Sequence, residues 1–279
     1  MDEHFSGVAA TYNELRTTDL EPILFIKDIL GGRQSVRAID VACGGGRYSL
    51  LLCQYLPGIE LTLNDRNESM LSRAARHLSE NGIGNFTTIE ADVAHLHLPD
   101  DALDAVFTFN AIHHFDPCLF VNKAARALAV GGHLFIYTRL SSQNARSIWG
   151  RYFPAFAEKE DRLYRLSDLE SCRDSSSSLS PARVTRFRFQ RRAPLAQLLH
   201  QVRSKHYSTF SLYSAAELNR AVIEFERTLR KRFPDPDWIE WSDENVMIVY
   251  RKEVARDAGL GHGSRPTRGE ENRRKGVNG

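Results

Sequence analysis

The sequence predicts an α/β protein: a Rossmann-like, mostly parallel sheet with helices on both faces. Three observations predict it. From residue 36 to residue 138, short apolar runs alternate with amphipathic stretches at helical spacing, and such alternation gives parallel strands joined by crossover helices. Three glycines in a row follow the first apolar run, in "AIDVACGGGRYS" at 38–49. Polar residues recur at or just after the strand ends: Asp40, Asp65, Asp92 and Asn110. Sheets of this kind bind ligands at the carboxyl ends of their strands, so these side chains and the glycines mark one candidate site.

Each element has a local reason. "VRAIDV" (36–41) is a β-rich run, and after the glycines Tyr48 to Leu56 reads as a helix stopped by Pro57-Gly58. "IELTLND" (59–65) is the next strand. Asn67 caps a helix whose Met70, Leu71, Ala74, Ala75 and Leu78 share one face, and Asn81-Gly82 closes it. "FTTIE" (86–90), "AVFTF" (105–109) and "HLFIYT" (133–138) are further strands. Asp116-Pro117 opens a helix with Phe120, Val121, Ala124 and Leu128 on its apolar face, ended by Gly131-Gly132. The second half is less regular. It has an aromatic stretch, "IWGRYFPAF", then "RDSSSSLSP", read as a loop. "VTRFRF" (184–189) has the pattern of an edge strand with arginines on one face. Helices are predicted at Pro194 to Lys205 and at Ser214 to Phe233, the second opened by a Ser214–Glu217 capping box. "VMIVYR" (246–251) is the last strand.

Composition narrows the class. The 279 residues fit one large domain, or a domain with a subdomain. We expect one folded unit over 1–253 and a disordered tail over 254–279, where Gly, Arg and Glu dominate and no apolar period remains. The net charge of +2 gives no global field for nucleic acid. The basic excess is local, five arginines in "RVTRFRFQRR" at 183–192, and charges on an exposed edge strand guard against aggregation. No apolar stretch is long enough for a membrane span, and the polar, acidic start "MDEHFSGVAATYNELR" is not a signal peptide. The expected setting is cytoplasmic. Cys43, Cys53, Cys118 and Cys172 form no Cys-x-x-Cys pair and stand beside no ligand set, so reduced thiols without metal or disulfide are expected.

The glycine loop does not fit a phosphate grip. A dinucleotide fingerprint needs Gly-x-Gly-x-x-Gly, and a P-loop ends in Gly-Lys-Ser/Thr; here Arg47, Tyr48 and Ser49 follow Gly46. Asp40-x-Ala42-x-Gly44-x-Gly46 instead resembles the (Asp/Glu)-x-Gly-x-Gly-x-Gly signature of class I S-adenosylmethionine (SAM) dependent methyltransferases. "NDRNESMLSRA" (64–74), "EADVAHLHLPDDALDAVFTFNAIHHF" (90–115) and the leading "FSGVAATYNELR" are similar to further motifs of that family, in the same order. The resemblance covers roughly the first half and is closest to the type 11, ubiquinone/menaquinone-biosynthesis-like branch. It implies a seven-stranded sheet whose last strand is antiparallel, and SAM as cofactor. The extra helices at 190–245, before the last strand, would then cover an acceptor site.

The resemblance also implies roles. Glycines and Ala42 let the backbone approach the methionine and ribose, and Ala42, which stands where the family has Gly, should only tighten the packing. Asp40 would hold the ammonium, directly or through water. Asp65, with Arg66 beside it, would accept from the ribose diol. Asp92 would accept from the adenine amino group, with the Val93 amide on a ring nitrogen. Tyr12 either lids the cofactor or staples its own helix. Asn110 either lines the methyl site or satisfies local backbone, and His113 and His114 either take an acceptor's proton or pack against Phe115. Asp65 as a helix-entry acid and Asp92 as a turn cap are the plain alternatives. The expected activity is methyl transfer to a small-molecule oxygen, nitrogen or carbon. The rivals are a tRNA-modifying methyltransferase, a non-catalytic SAM-binding regulator and, weakest on the glycine spacing, an NAD-dependent oxidoreductase.

Overall fold

The computed structural model describes residues 17–174 and 178–254. Helix α1 (Glu21–Leu30) leads into β1 (Val36–Val41), α2 (Arg47–Tyr55), β2 (Ile59–Asp65), α3 (Glu68–Glu80), β3 (Phe86–Glu90) and β4 (Leu103–Phe109). A short 3-10 turn (Ile112–His114), α4 (Pro117–Ala127) and β5 (Leu128–Thr138) follow. Four short helices come next: α5 (Ser141–Arg146), α6 (Ile148–Tyr152), α7 (Phe156–Lys159) and α8 (Leu166–Asp174). The chain closes with β6 (Leu179–Ala193), α9 (Leu195–Arg203), α10 (Ala215–Arg232) and β7 (Ile239–Lys252). The local signals explain the helix starts. The Asn67 side chain accepts from the Met70 amide, Asp116 from Cys118 and Leu119, and both bonds of the Ser214–Glu217 capping box form.

The seven strands form one sheet in the order β3-β2-β1-β4-β5-β7-β6. Strands β1 to β5 pair in parallel, and β7 runs antiparallel to both its neighbours. The expected fold class is the one found. One face buries Ile23, Leu52 and Ala74 of α1, α2 and α3 against Phe107, Phe135 and Met247. The other buries Phe120 and Val121 of α4 and Leu169 of α8 against Ile39, Ile136 and Ile248. A third cluster, around Trp149, Phe153, Phe210 and Phe225, joins the short helices after β5 to α9 and α10. It sits where β6 and β7 outrun the sheet. Their pairing runs from Leu179↔Lys252 to Ala193↔Ile239, whereas β5 pairs only with 246–251 of β7. Residues 187–193 and 239–245 therefore stand as a two-stranded wall beyond the end of β5.

Several boundaries differ from expectation. Helix α4 stops at Ala127, and Leu128 is the first residue of β5, bonded beside Leu103 before the register shifts to Ala105↔His133. Leu128 is apolar at helical spacing, yet its backbone is taken by the neighbouring strand. Gly131 (φ +81°) bends that irregular strand start and does not end a helix. Strands β6 and β7 are both longer than expected, because each supplies the other's hydrogen bonds past the sheet edge. Cys118 and Cys172 form a disulfide, with Cα atoms 4.5 Å apart, where reduced thiols were expected. Packing of α8 on α4 brings them together across 54 residues, a contact that linear spacing does not encode. Cys43 and Cys53 are free. Tyr12 and the tail from residue 255 lie outside the described residues. No helix among the described residues is long and apolar enough to cross a membrane.

Candidate active site

The carboxyl ends of β1, β2, β4 and β5 open into one cavity. The loop after β1 is shaped by alternate left-handed residues: Ala42 (φ +56°), Gly44 (φ +56°) and Gly46 (φ +73°). Ala42 thus carries backbone strain of about 1–2 kcal/mol. At Gly46 a Cβ would meet Ala74 Cβ at 2.9 Å, so this glycine lets α2 start hard against α3. It does not reach the cavity wall. Ala42 and Gly44 do.

Asp65, at the end of β2, holds the loop in place. Its Oδ2 accepts from the Gly44 amide at 2.9 Å and its Oδ1 from the Asn67 amide at 2.9 Å, and it faces the cavity. Burial raises this carboxyl above its ordinary range, while the Asn67 and Gly44 amides pull it down. Asp40 sits elsewhere than the sequence suggests. It is 1% exposed and lies beneath the loop, not on the wall. Ser49 Oγ donates to its Oδ2 at 2.6 Å, and its Oδ1 is buried with no hydrogen-bond partner. Burial pushes its carboxyl up to about 7, Ser49 opposes this, and Asp65 adds to it. Asp92 caps its own turn through Ala94 N (2.9 Å) and also reaches Arg66 Nη1 (3.5 Å); all of Arg66, Asp92 and Val93 line the cavity.

The wall continues past β4. Asn110 adopts a left-handed φ of +54°. Its amide donates to Tyr137 O at 2.7 Å, and its Oδ1 accepts from Asn245 Nδ2 at 3.0 Å. Its side chain thus pairs with another side chain and not with local backbone, and the residue lines the cavity. His113 and His114 face the same space with ring centroids 4.1 Å apart. The Phe115 ring packs on Phe120, with centroids 5.3 Å apart.

The far end of the cavity carries residues that sequence reasoning missed. Arg139 Nη2 lies 3.3 Å from Asp243 Oδ1, and Arg191 Nε lies 3.7 Å from Asp243 Oδ2. Arg191 Nη2 also donates to both oxygens of Asp19 at 2.7 Å. Beside this chain, Glu160 is bound by Arg162 and by Thr209 Oγ1, and Trp149, Phe156, Tyr207 and Trp241 supply aromatic surface. Arg191 belongs to the segment read as an edge-strand guard. That reading fits Arg186 and Arg188, which are exposed, but alternation along β6 puts Arg191 on the face of Phe187 and Phe189, and that face turns inward. The period-two count was the signal available. Among the described residues no group of three His, Cys, Asp or Glu side chains gathers as a metal site.

The donor set suits a cationic, diol-bearing ligand. The Gly44 amide is already bound to a carboxylate, and Asp65 and Asp92 would repel a pyrophosphate. Asp40 Oδ1, buried with no hydrogen-bond partner, leaves one carboxyl acceptor behind the loop.

Comparison with known proteins agrees. Residues 39–136 match the family model described as "Methyltransferase domain". The chain is 30% identical over 144 residues to the ubiquinone/menaquinone biosynthesis C-methyltransferase UbiE of Pseudomonas paraeruginosa, covering 48% of this chain and 56% of that one. It is 30% identical over 109 residues to a ubiquinone biosynthesis O-methyltransferase of Parvibaculum lavamentivorans, covering 38% and 41%. The matched stretch spans about half the length of these curated relatives. Among solved structures, geranyl diphosphate methyltransferase in complex with SAM superposes with a TM-score of 0.53 at 16% identity, over 84% of this chain and 85% of that one. The stretch that includes the glycine loop, Asp65, Asp92 and Asn110 therefore matches a methyltransferase domain, and over that part the chain is similar to ubiquinone/menaquinone biosynthesis methyltransferases.

Proposed function

We propose that the protein is a SAM-dependent methyltransferase acting on a small-molecule acceptor. The observation that carries this reading is Asp65, which fastens the glycine loop through the Gly44 amide while facing the cavity. When bound, SAM supplies an electrophilic methyl group on a sulfonium centre. Asp65 keeps a second lone pair on each oxygen for a ribose hydroxyl. Asp92, with Arg66 beside it, and the Val93 amide would hold the adenine edge, and the Ala42 to Gly44 backbone would border the methionine portion. Asn110, His113 and His114 flank the acceptor. In-line positioning of the acceptor supplies much of the rate, and an imidazole nitrogen takes the proton of an acceptor hydroxyl.

Most of the arginine segment, Arg186 apart, is engaged within the protein, which disfavours an RNA substrate. Arg188 pairs with Glu244, Arg183 lies over the Phe25 ring, Arg192 over the Trp238 ring, and Arg191 faces inward. The test is calorimetry with SAM, its demethylated product (SAH) and NAD, together with mass spectrometry of any ligand retained on purification. SAM and SAH should bind and NAD should not; NAD binding without SAM binding would overturn the reading. Tight SAM binding with no turnover across acceptor classes would favour the regulator.

Asp40 adds a pH dependence. A carboxyl raised to about 7 by burial is ionised in the unfolded chain above about 4. The folded protein therefore loses stability as pH rises from about 4 to about 7, and below that window the cost is absent. A ligand ammonium favours the ionised form, so SAM binding should release a proton and tighten by about tenfold between pH 6 and pH 8. Calorimetry at both values, in buffers of different ionisation enthalpy, checks this. Affinity independent of pH, with no proton released, would take the Asp40 charge out of ligand binding.

A further inference from the structure

Resting on that reading, we propose that the Arg139–Asp243–Arg191–Asp19 chain is the acceptor-recognition element, and that it selects a compact, uncharged, hydroxyl-bearing ring without a long apolar tail. Three observations converge on this. The first is charge. Two guanidiniums face two carboxylates in alternation, at 3.3, 3.7 and 2.7 Å, and Glu160 beside them is neutralised by Arg162. An acceptor carboxylate would meet Asp243 and Asp19, and an acceptor ammonium would meet Arg139 and Arg191. Like charges brought together at a desolvated contact cost several kcal/mol. A neutral hydroxyl, which both donates and accepts, can share the outer lone pairs and N–H groups of the chain without breaking it.

The second observation is unmet hydrogen bonding. Trp241 Nε1 and Thr138 Oγ1 are buried with no partner, and both residues line this end of the cavity. Buried polar groups without partners are rare. An indole N–H only donates, so it asks for a ligand oxygen; a threonine hydroxyl pairs with a second one. The third is shape. Trp149, Phe156 and Tyr207 line the cavity as a fixed group of rings, with centroids 6.2 to 6.3 Å apart. Tyr207, the least buried of the three, offers aromatic surface to a ring. Trp149 and Phe156 are themselves only 2% exposed, as tightly packed as Phe153, Phe210 and Phe225 behind them, so the cluster has no slack to admit a long chain. A long tail would have to lie along the ion pairs and strip them of solvent, which is unfavourable.

The experiment measures binding to the SAH-loaded protein by calorimetry. The probes are catechol, 2,3-dihydroxybenzoate as its anionic counterpart, a catecholamine as its cationic one, and catechol carrying a polyprenyl chain. Catechol should bind at least about tenfold more tightly than each of the other three. Asp243→Asn leaves the guanidiniums in excess and should reverse the order of catechol and the benzoate. Arg191→Gln leaves the carboxylates in excess and should favour the amine. A merely structural role for either residue would weaken all probes together. Melting temperature and SAH affinity of each variant show that it is folded, and either variant suffices if the other is not. Tighter binding of the benzoate or the prenylated ring by the unaltered protein, an unchanged order in the folded variants, or no catechol binding despite SAH binding would each overturn the proposal while leaving the methyltransferase reading intact. Failure to bind SAH at all would instead sink that reading, and this one with it.

Discussion

Turnover should fall by about a hundredfold or more when the working member of the His113–His114 pair is replaced by Gln, with SAM affinity nearly unchanged. Both imidazoles stand on the 3-10 turn after β4 and face the cavity with rings 4.1 Å apart. They follow Asn110 at the end of β4, whereas Asp65 ends β2 and Asp92 follows β3. A loss confined to the chemical step is therefore expected. Gln keeps much of the volume and hydrogen-bonding capacity of His but cannot accept a proton near neutrality. The discriminating measurement is the pH dependence of turnover with a hydroxylated acceptor. The unaltered protein should lose rate as pH falls and the imidazole protonates, and the damaging variant should lose that limb. Comparison of the two variants assigns the limb to one ring or to both. Unchanged rates in His113→Gln and His114→Gln alike would remove general-base catalysis and leave positioning as the whole mechanism.

What the sequence revealed, and what it hid, follows the range of the interactions. Caps and turns were legible because their bonds close within a few residues: Asn67 to Met70, Asp116 to Cys118 and Leu119, Ser214 with Glu217. The strand-end acids were legible because a strand's end is marked in its own apolar pattern. Leu128 was not, since an apolar residue after a helical run satisfies either a helix or a strand until the neighbour, here Leu103, is known. The Cys118–Cys172 bond and the Asp19–Arg191 pair depend on contacts across 54 and 172 residues, which no local pattern contains. Asp40 shows a subtler limit. Its place in the loop signature is plain, but whether it meets a ligand or sits behind the loop depends on Ser49, nine positions on, turning its hydroxyl inward.

Asp65→Ala should weaken SAM binding by about 1.5–3 kcal/mol, roughly tenfold to more than a hundredfold in Kd. The carboxylate has two duties in this structure. It accepts from the Gly44 and Asn67 amides, which sets the shape of the loop, and its remaining lone pairs face the cavity where a ribose would lie. Alanine removes both. Stability should change less than affinity, because burial already raises this carboxyl and removing the charge relieves that cost while leaving two amides without their acceptor. The two duties separate in a thermodynamic cycle that compares SAM with its 2′-deoxyribose analogue. If Asp65 binds the ribose directly, the penalty of the substitution shrinks when the hydroxyl is absent. Equal penalties for both ligands would make Asp65 a loop support alone. Undiminished affinity for SAM itself would take Asp65 out of the site altogether, and with it the observation on which the proposed function rests.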